Sequence, residues 1–408
     1  MKRLVFLLLL VPSLLLSQNV KYAHYVVDTL ASPTLQGRGY CTQGNNYAAY
    51  FIRMQLKDFN VKPLVPNYFQ KFAVAKNCIT DSIKLSVDNK SLVLGKDYII
   101  KGNAPSLHGT FDLLRVKNPK KWKKLKRKDI SDKFVAVDWS LLTTDELKRV
   151  YTYNLIGAKG IILLKNSFPY YPAVSRAGFV TIEMKPSALP DKAQKISISL
   201  NTQMKTQLKT QNVLGYIPGE VDTFIVFTAH YDHLGRLGQI YFPGANDNAS
   251  GVAMLLDIAH NLSQRKCKPH YSIAFMFFTG EELGLLGSLY YVQHPVFDLN
   301  KIKLLVNLDM VGSGDEGITV VNAKNNQNFY NKLVSVNEVK QYLPSIKARG
   351  QAMNSDHYYF AEKGVPAVFI YTRGKYKEYH NIYDRADKVP LTKFEDLERL
   401  LLETVFNL

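Results

Sequence analysis

Beyond Gln211, continuous apolar runs alternate with amphipathic stretches. "NVLGYIPG", "TFIVFTAHYD", "YSIAFMFFTGEE", "IKLLVNLDM" and "VPAVFIYT" are short, unbroken and rich in β-branched and aromatic residues, so they read as strands buried on both faces. Between them, "SGVAMLLDIAHNLSQ" (Ser250–Gln264) repeats its apolar residues at three- and four-residue spacing, as does the stretch Thr392–Leu408 at the C-terminus. This alternation predicts an α/β fold, a mostly parallel mixed sheet covered by helices on both faces. Near the N-terminus, "NNYAAYFIRMQLKDF" (Asn45–Phe59) is again helical, behind a "GRG" turn at Gly37–Gly39. From about Cys78 the pattern shortens to strand-like runs: "SIKLSVDNKSLVL" with a turn at Asp88-Asn89, then "KFVAVDW", "GAKGIILLK", "FVTIEM" and "ISISL". These read as hairpin strands with one helical stretch, Thr144–Ile156, among them. The expected organisation is a discontinuous α/β domain, residues 18–77 and 206–408, with a β-rich domain, 78–205, inserted in it.

With 46% hydrophobic and 12% aromatic residues in 408, the chain can bury a sizeable core, which excludes a disordered protein. Lys2 and Arg3 precede the apolar run Leu4–Leu16, the pattern of a cleaved signal peptide over residues 1–17. Pro12-Ser13 interrupts the run, which is short for a membrane span, and no cysteine follows it to carry a lipid. No later segment reaches transmembrane length, so the expectation is a secreted or periplasmic protein without stable membrane insertion. The net charge is +18, part of it in "RVKNPKKWKKLKRK" (Arg115–Lys128). That run is either a solvated basic face or a contact for anionic surfaces; no nucleic-acid-binding motif accompanies it, and no nucleic acid partner is expected. Cys41, Cys78 and Cys267 allow one disulfide and one free thiol, with the pairing open.

Ligands of open α/β sheets bind at the carboxyl ends of the strands. Here those ends carry acids and histidines: His230 and Asp232, Asp247 before the Ser250 helix, Glu281 and Glu282, Asp309, and Tyr379-His380 past the last strand. Each has an ordinary reading. Asp247 could cap a helix, and Glu281-Glu282 could favour a helix N-terminus. Their convergence on one sheet edge is harder to ascribe to folding. Two histidines with three carboxylates form a mixed nitrogen and oxygen donor set that suits Zn²⁺ better than Mn²⁺ or Co²⁺. A carboxylate left off the metal could move a proton between water and a leaving amine.

The motifs "AHYDHLG", "GANDNASG", "GEE", "NLDM" and "YHNIYD", in this order, resemble those of the co-catalytic zinc exopeptidases, the family of secreted leucyl aminopeptidases and glutamate carboxypeptidase. The resemblance covers Val20–Leu64 and Gln211–Leu408, and "LASPTLQGRG" and "SDHYYFAEKGVPAVF" also look familial. It implies two zinc ions per chain, one held by His230 and Asp309, the other by Glu282 and His380, and Asp247 bridging them. It implies Glu281 as general base, Asp232 as the acid orienting His230, and Tyr379 as a group that polarises the substrate carbonyl. His233 and His357 lie near the motifs and are expected to be structural or supporting. "LIGAKGIILLKN" and "FVTIEMKPSALP" resemble a protease-associated domain. The implied function is hydrolysis of N-terminal residues from peptides with a free N-terminus, by hydroxide that two metal ions activate. The alternatives are a glutaminyl cyclase with a single zinc, or a dipeptidase or carboxypeptidase; no single arginine can be assigned to hold a substrate's C-terminal carboxylate.

Overall fold

The structure is a computed structural model that describes residues 20–125, 129–154 and 156–407. The signal segment expected at 1–17 and the last three residues of the basic run, 126–128, lie outside them.

The larger sheet has nine strands. In spatial order they are Lys62–Pro63, Gln203–Ile217, Tyr271–Phe278, Val221–His230, Ile302–Leu308, Ala367–Arg373, Gly317–Val321 and Ile346–Ala348, with Phe69–Cys78 also paired to Gln203–Ile217. The four strands from Tyr271–Phe278 to Ala367–Arg373 are parallel, and antiparallel strands flank them. Alternate residues of these strands enter different cores, as the two-residue period requires. Ile225, Phe227, Phe275 and Val306 pack with the helices Val20–Leu30, Ser250–Ser263 and Phe394–Val405. Val226, Ala274, Met276 and Leu305 pack on the other face with Tyr291 and Phe360, from the helices Leu286–Gln293 and His357–Glu362. Burial on both faces is why these strands read as continuous apolar runs.

A second sheet of eight strands is built within residues 84–200. The expected turn is present: Ser86–Val87 pairs with Lys90–Ser91, and Asp88 and Asn89 have φ of 44° and 65°, as a tight hairpin requires. The rest differs from a series of hairpins. Leu107–Val116, Phe134–Asp138, Gly160–Leu164 and Val180–Met184 run parallel, and the helices Pro119–Leu125 and Thr144–Tyr153 fill two of the crossovers. Parallel neighbours need such long connections, so this region is itself an α/β layer. In the basic run, Trp122 and Leu125 anchor the Pro119–Leu125 helix, and Lys120, Lys121, Lys123 and Lys124 face solvent.

The two sheets meet beside the strand ends. Leu234, Leu237 and Phe242, from the loop after Val221–His230, are buried in the core of the second sheet, and Phe242 stacks on Tyr170 at 4.8 Å. Cys41 and Cys78 form a disulfide, leaving Cys267 free and exposed. The bridge spans 37 residues and ties the turn after Gly39 to the end of the strand that leads into the second sheet. Restricting a loop of that length in the unfolded chain stabilises the fold by about 3–4 kcal/mol. Cys41→Ser/Cys78→Ser should therefore lower the stability extrapolated to water by that amount, with a steeper urea transition because the unfolded chain without the cross-link exposes more surface.

Candidate metal centre

Register brings the site together. His230 ends its strand opposite Phe278, three residues before Glu281, and on its other side Thr228 pairs with Asn307, two residues before Asp309. The strand ends therefore deliver His230, Glu281, Glu282 and Asp309 to one edge, and two loops add Asp247 and His380. Neither ordinary reading holds for the acids. The helix after Asp247 begins at Ser250, and the side chain bonded to its first turn is Asn248, whose Oδ1 accepts from Gly251 N at 2.9 Å. The helix after Glu282 begins only at Leu286.

All five residues expected to bind metal converge. His230 Nε2 lies 3.4 Å from Asp247 Oδ1 and 3.3 Å from Asp309 Oδ1. His380 Nε2 lies 3.1 Å from Asp247 Oδ2 and 3.1 Å from Glu282 Oε2. The two oxygens of Asp247 thus serve different histidines, the arrangement a bridging carboxylate needs. These separations exceed the roughly 2.7–2.9 Å of a charge-assisted hydrogen bond. They match the roughly 3.3 Å between neighbouring ligand atoms on a tetrahedral zinc with bonds of about 2.0–2.1 Å. The donor set therefore fits zinc.

The electrostatics agree. Burial opposes charge on His230, yet Asp309 and Glu281 hold its imidazole well above the ordinary range. Burial likewise opposes ionisation of Asp247, but its pairing with His230 and His380 holds it well below the usual carboxylate value. Glu282 is drawn down to about 2, chiefly by His380 against the effect of burial. Glu281 moves the other way: burial raises it, His230 opposes, and Glu282 and Asp309 raise it further. Protons on the histidines compensate the carboxylates here, and a divalent cation would displace them, so metal uptake releases protons.

The support around these residues comes largely from positions inside the quoted motifs to which the sequence assigned no role. Arg38, fully buried, donates to five main-chain oxygens: Leu30, Tyr231, Pro243, Gly244 and Asp247, at 2.7–3.2 Å. Asp384 accepts the amides of Asn246 and Asp247 at 2.9 and 3.1 Å. Asn248 bonds Leu308 O and Met310 N, stitching the Asp247 loop to the Asp309 loop. Ser355 donates to Asp309 Oδ2 at 2.7 Å and accepts from Asn307. Asp232 differs from its expected geometry. Its carboxylate is 3.6 Å from His230 Nδ1, beyond hydrogen-bond length, and the nearer partner of Nδ1 is the main-chain oxygen of Asp232 at 3.2 Å. The Asp232 carboxylate accepts from Tyr40 OH at 2.6 Å and from the amides of Glu281 and Glu282 at 3.3 Å, so it fixes the paired glutamates.

Tyr379 stacks on His380 at 3.8 Å and lines the same cavity, of about 270 Å³, as His230, Glu281 and Asp309. His233 Nδ1 lies 2.8 Å from Glu282 Oε1 and supports that ligand. His357 is buried beside Phe369, and burial draws it down to about 4, so it is a neutral core residue. The second sheet reaches the site through Tyr170, whose amide donates to His380 O, and Tyr171, whose ring meets His380 edge-on at 4.8 Å.

Residues 212–405 match peptidase family M28. Aminopeptidase YwaD of Bacillus subtilis is 28% identical over 267 residues, which cover 62% of this chain and 57% of that protein. A probable leucine aminopeptidase of Arthroderma otae is 28% identical over 178 residues, 40% of this chain and 47% of its own length. The chain thus spans about half the length of these curated relatives. A solved zinc aminopeptidase from Bacillus subtilis superposes with a TM-score of 0.73 at 21% identity over 96% of both chains, which establishes the shared fold.

Proposed function

We propose that this chain, whose residues 212–405 match peptidase family M28, is an exported zinc-dependent aminopeptidase. The observation that carries the reading is Asp247, whose two carboxylate oxygens face different histidines, each with a further acid beside it. His230 and Asp309 would hold one zinc, Glu282 and His380 the other, and Asp247 both. Bound there, the ions supply Lewis acidity to the scissile carbonyl and lower the pKa of the attacking water. Glu281, whose carboxylate has no side-chain hydrogen bond among the described residues, takes the proton of that water and returns it to the departing amine. Tyr379, which lines the same cavity, would donate to the oxygen that gains charge. Asp232 holds the main chain of Glu281 and Glu282, so that one glutamate binds while its neighbour stays free.

Export is supported by the Cys41–Cys78 disulfide, which belongs to an oxidising compartment. Among the described residues no helix is long and apolar enough to cross a membrane. We read the second sheet as a protease-associated domain whose Tyr170–Tyr171 segment narrows access to His380, with peptides bearing a free N-terminus as substrates. The test is a panel of aminoacyl amides and N-blocked peptides, with and without a chelator. Chelation should abolish cleavage of the unblocked substrates, and two equivalents of zinc per chain should restore it. Cleavage of blocked peptides alone, or one zinc with pyroglutamate as product, would overturn the reading.

A further inference from the structure

The cavity lined by His230, Glu281 and Asp309 is also lined by Arg349, Asn354 and Tyr371. Arg349 follows the edge strand Ile346–Ala348. Its amide donates to Val320 O at 2.9 Å, and its carbonyl accepts from Ala323 N at 3.1 Å. Both ends of its main chain are therefore pinned to the sheet edge, and the side chain starts from a rigid base. Among the described residues its guanidinium has no ion pair or hydrogen bond, although the same cavity holds three carboxylates, those of Asp247, Glu281 and Asp309. Two divalent ions would balance the negative charges of Asp247, Glu281, Glu282 and Asp309. Arg349, exposed to solvent on the wall of that cavity, would then be a cation without a protein partner among the described residues, open to a substrate anion.

From this placement we propose that Arg349 is a specificity-determining residue that binds a substrate carboxylate close to the scissile bond. The inference rests on the aminopeptidase reading and names its substrate class. A planar guanidinium suits a carboxylate through paired N–H donors. Two sources offer that group: the side chain of an N-terminal Asp or Glu, or the free C-terminus of a dipeptide.

The test uses zinc-loaded full-length protein and its Arg349→Gln and Arg349→Lys variants. Rates are measured on glutamyl- and leucyl-p-nitroanilide, and on Leu-Leu and Leu-Leu-amide. A side-chain source predicts that Arg349→Gln lowers the glutamyl-to-leucyl ratio of kcat/KM by roughly tenfold, the effect of losing one charge-assisted contact. Arg349→Lys should restore part of that loss, and salt should weaken the preference. A C-terminal source predicts the same fall in the Leu-Leu to Leu-Leu-amide ratio instead. If both ratios stay within twofold of wild type, the proposal is wrong. Calorimetry with L-glutamate, L-glutamine and Leu-Leu reads the same contact without turnover. Binding of glutamate or Leu-Leu that weakens in Arg349→Gln, with no cleavage of any substrate, would uphold Arg349 and sink the aminopeptidase reading. Binding of both unchanged by the substitution would sink Arg349 alone.

Discussion

Glu281→Gln should lower kcat by about 10²–10⁴-fold, the usual contribution of a positioned general acid and base, with zinc content close to that of the parent. Glutamine keeps the size and the main-chain bonds of Glu281, including its amide's bond to Asp232 Oδ1 at 3.3 Å and the Gly284 and Leu285 amides on its carbonyl at 2.9 Å. The substitution removes only the ability to accept a proton. Glu282→Gln should fail differently. Its carboxylate is engaged by His380 at 3.1 Å and His233 at 2.8 Å, so an amide there weakens metal binding first and activity as a consequence. Metal analysis beside steady-state kinetics separates the two outcomes. A fully active Glu281→Gln enzyme, or one that loses its zinc, would remove the role assigned to this residue.

That two adjacent glutamates lie at the site was legible in the sequence because both follow a strand end, whereas their different roles came only from the resemblance. An apolar run announces where the strand stops, and the residues just past it must lie at the sheet edge. His230 and Asp309 follow from the same logic, and Asp247 and His380 from the ordered motifs. Arg38 and Tyr40 do not. Apart from Leu30, their partners lie more than 190 residues away, and those of Arg38 are carbonyl oxygens, which every residue carries. Nothing in the sequence marks such a partner. Asp384 sat inside a quoted motif, yet its work is to accept two amides, which also leaves no pattern. Arg349 was invisible for a topological reason. Its cavity position depends on Ile346–Ala348 joining the sheet edge beside Gly317–Val321, and three residues of edge strand give too little periodicity to read. The parallel strands of the second sheet were misread as hairpins because their apolar runs are equally short in both arrangements; the difference lies in the connections.

The largest loss of stability is expected at Arg38. Arg38→Ala removes donors from five carbonyls buried at the junction of the first helix, the His230 strand end and the Asp247 loop. Bonds to a charged donor are worth about 1.5–3 kcal/mol each, and the abandoned acceptors add a desolvation cost. These terms overlap, so the expected loss is about 4–5 kcal/mol, at the upper end of single substitutions. Arg38→Lys tests the geometry apart from the charge. Burial lowers the Arg38 guanidinium to about 10, against the pull of Asp247, Asp384, Asp232 and Glu282, so it remains a cation at neutral pH. Lysine keeps that charge but offers three donors from one point, where arginine spreads five over a plane. It cannot span acceptors as far apart as Leu30 O and Asp247 O, so roughly half of the loss should remain. Urea unfolding measures both variants, and zinc titration shows whether the Asp247 loop still presents its carboxylate. Arg38→Lys with wild-type stability and zinc affinity would mean that charge alone supports the loop. Lost stability with intact zinc affinity would mean that Asp384 and Asn248 suffice to hold Asp247. Loss of both would make this buried guanidinium the link between the N-terminal helix and the metal ligands.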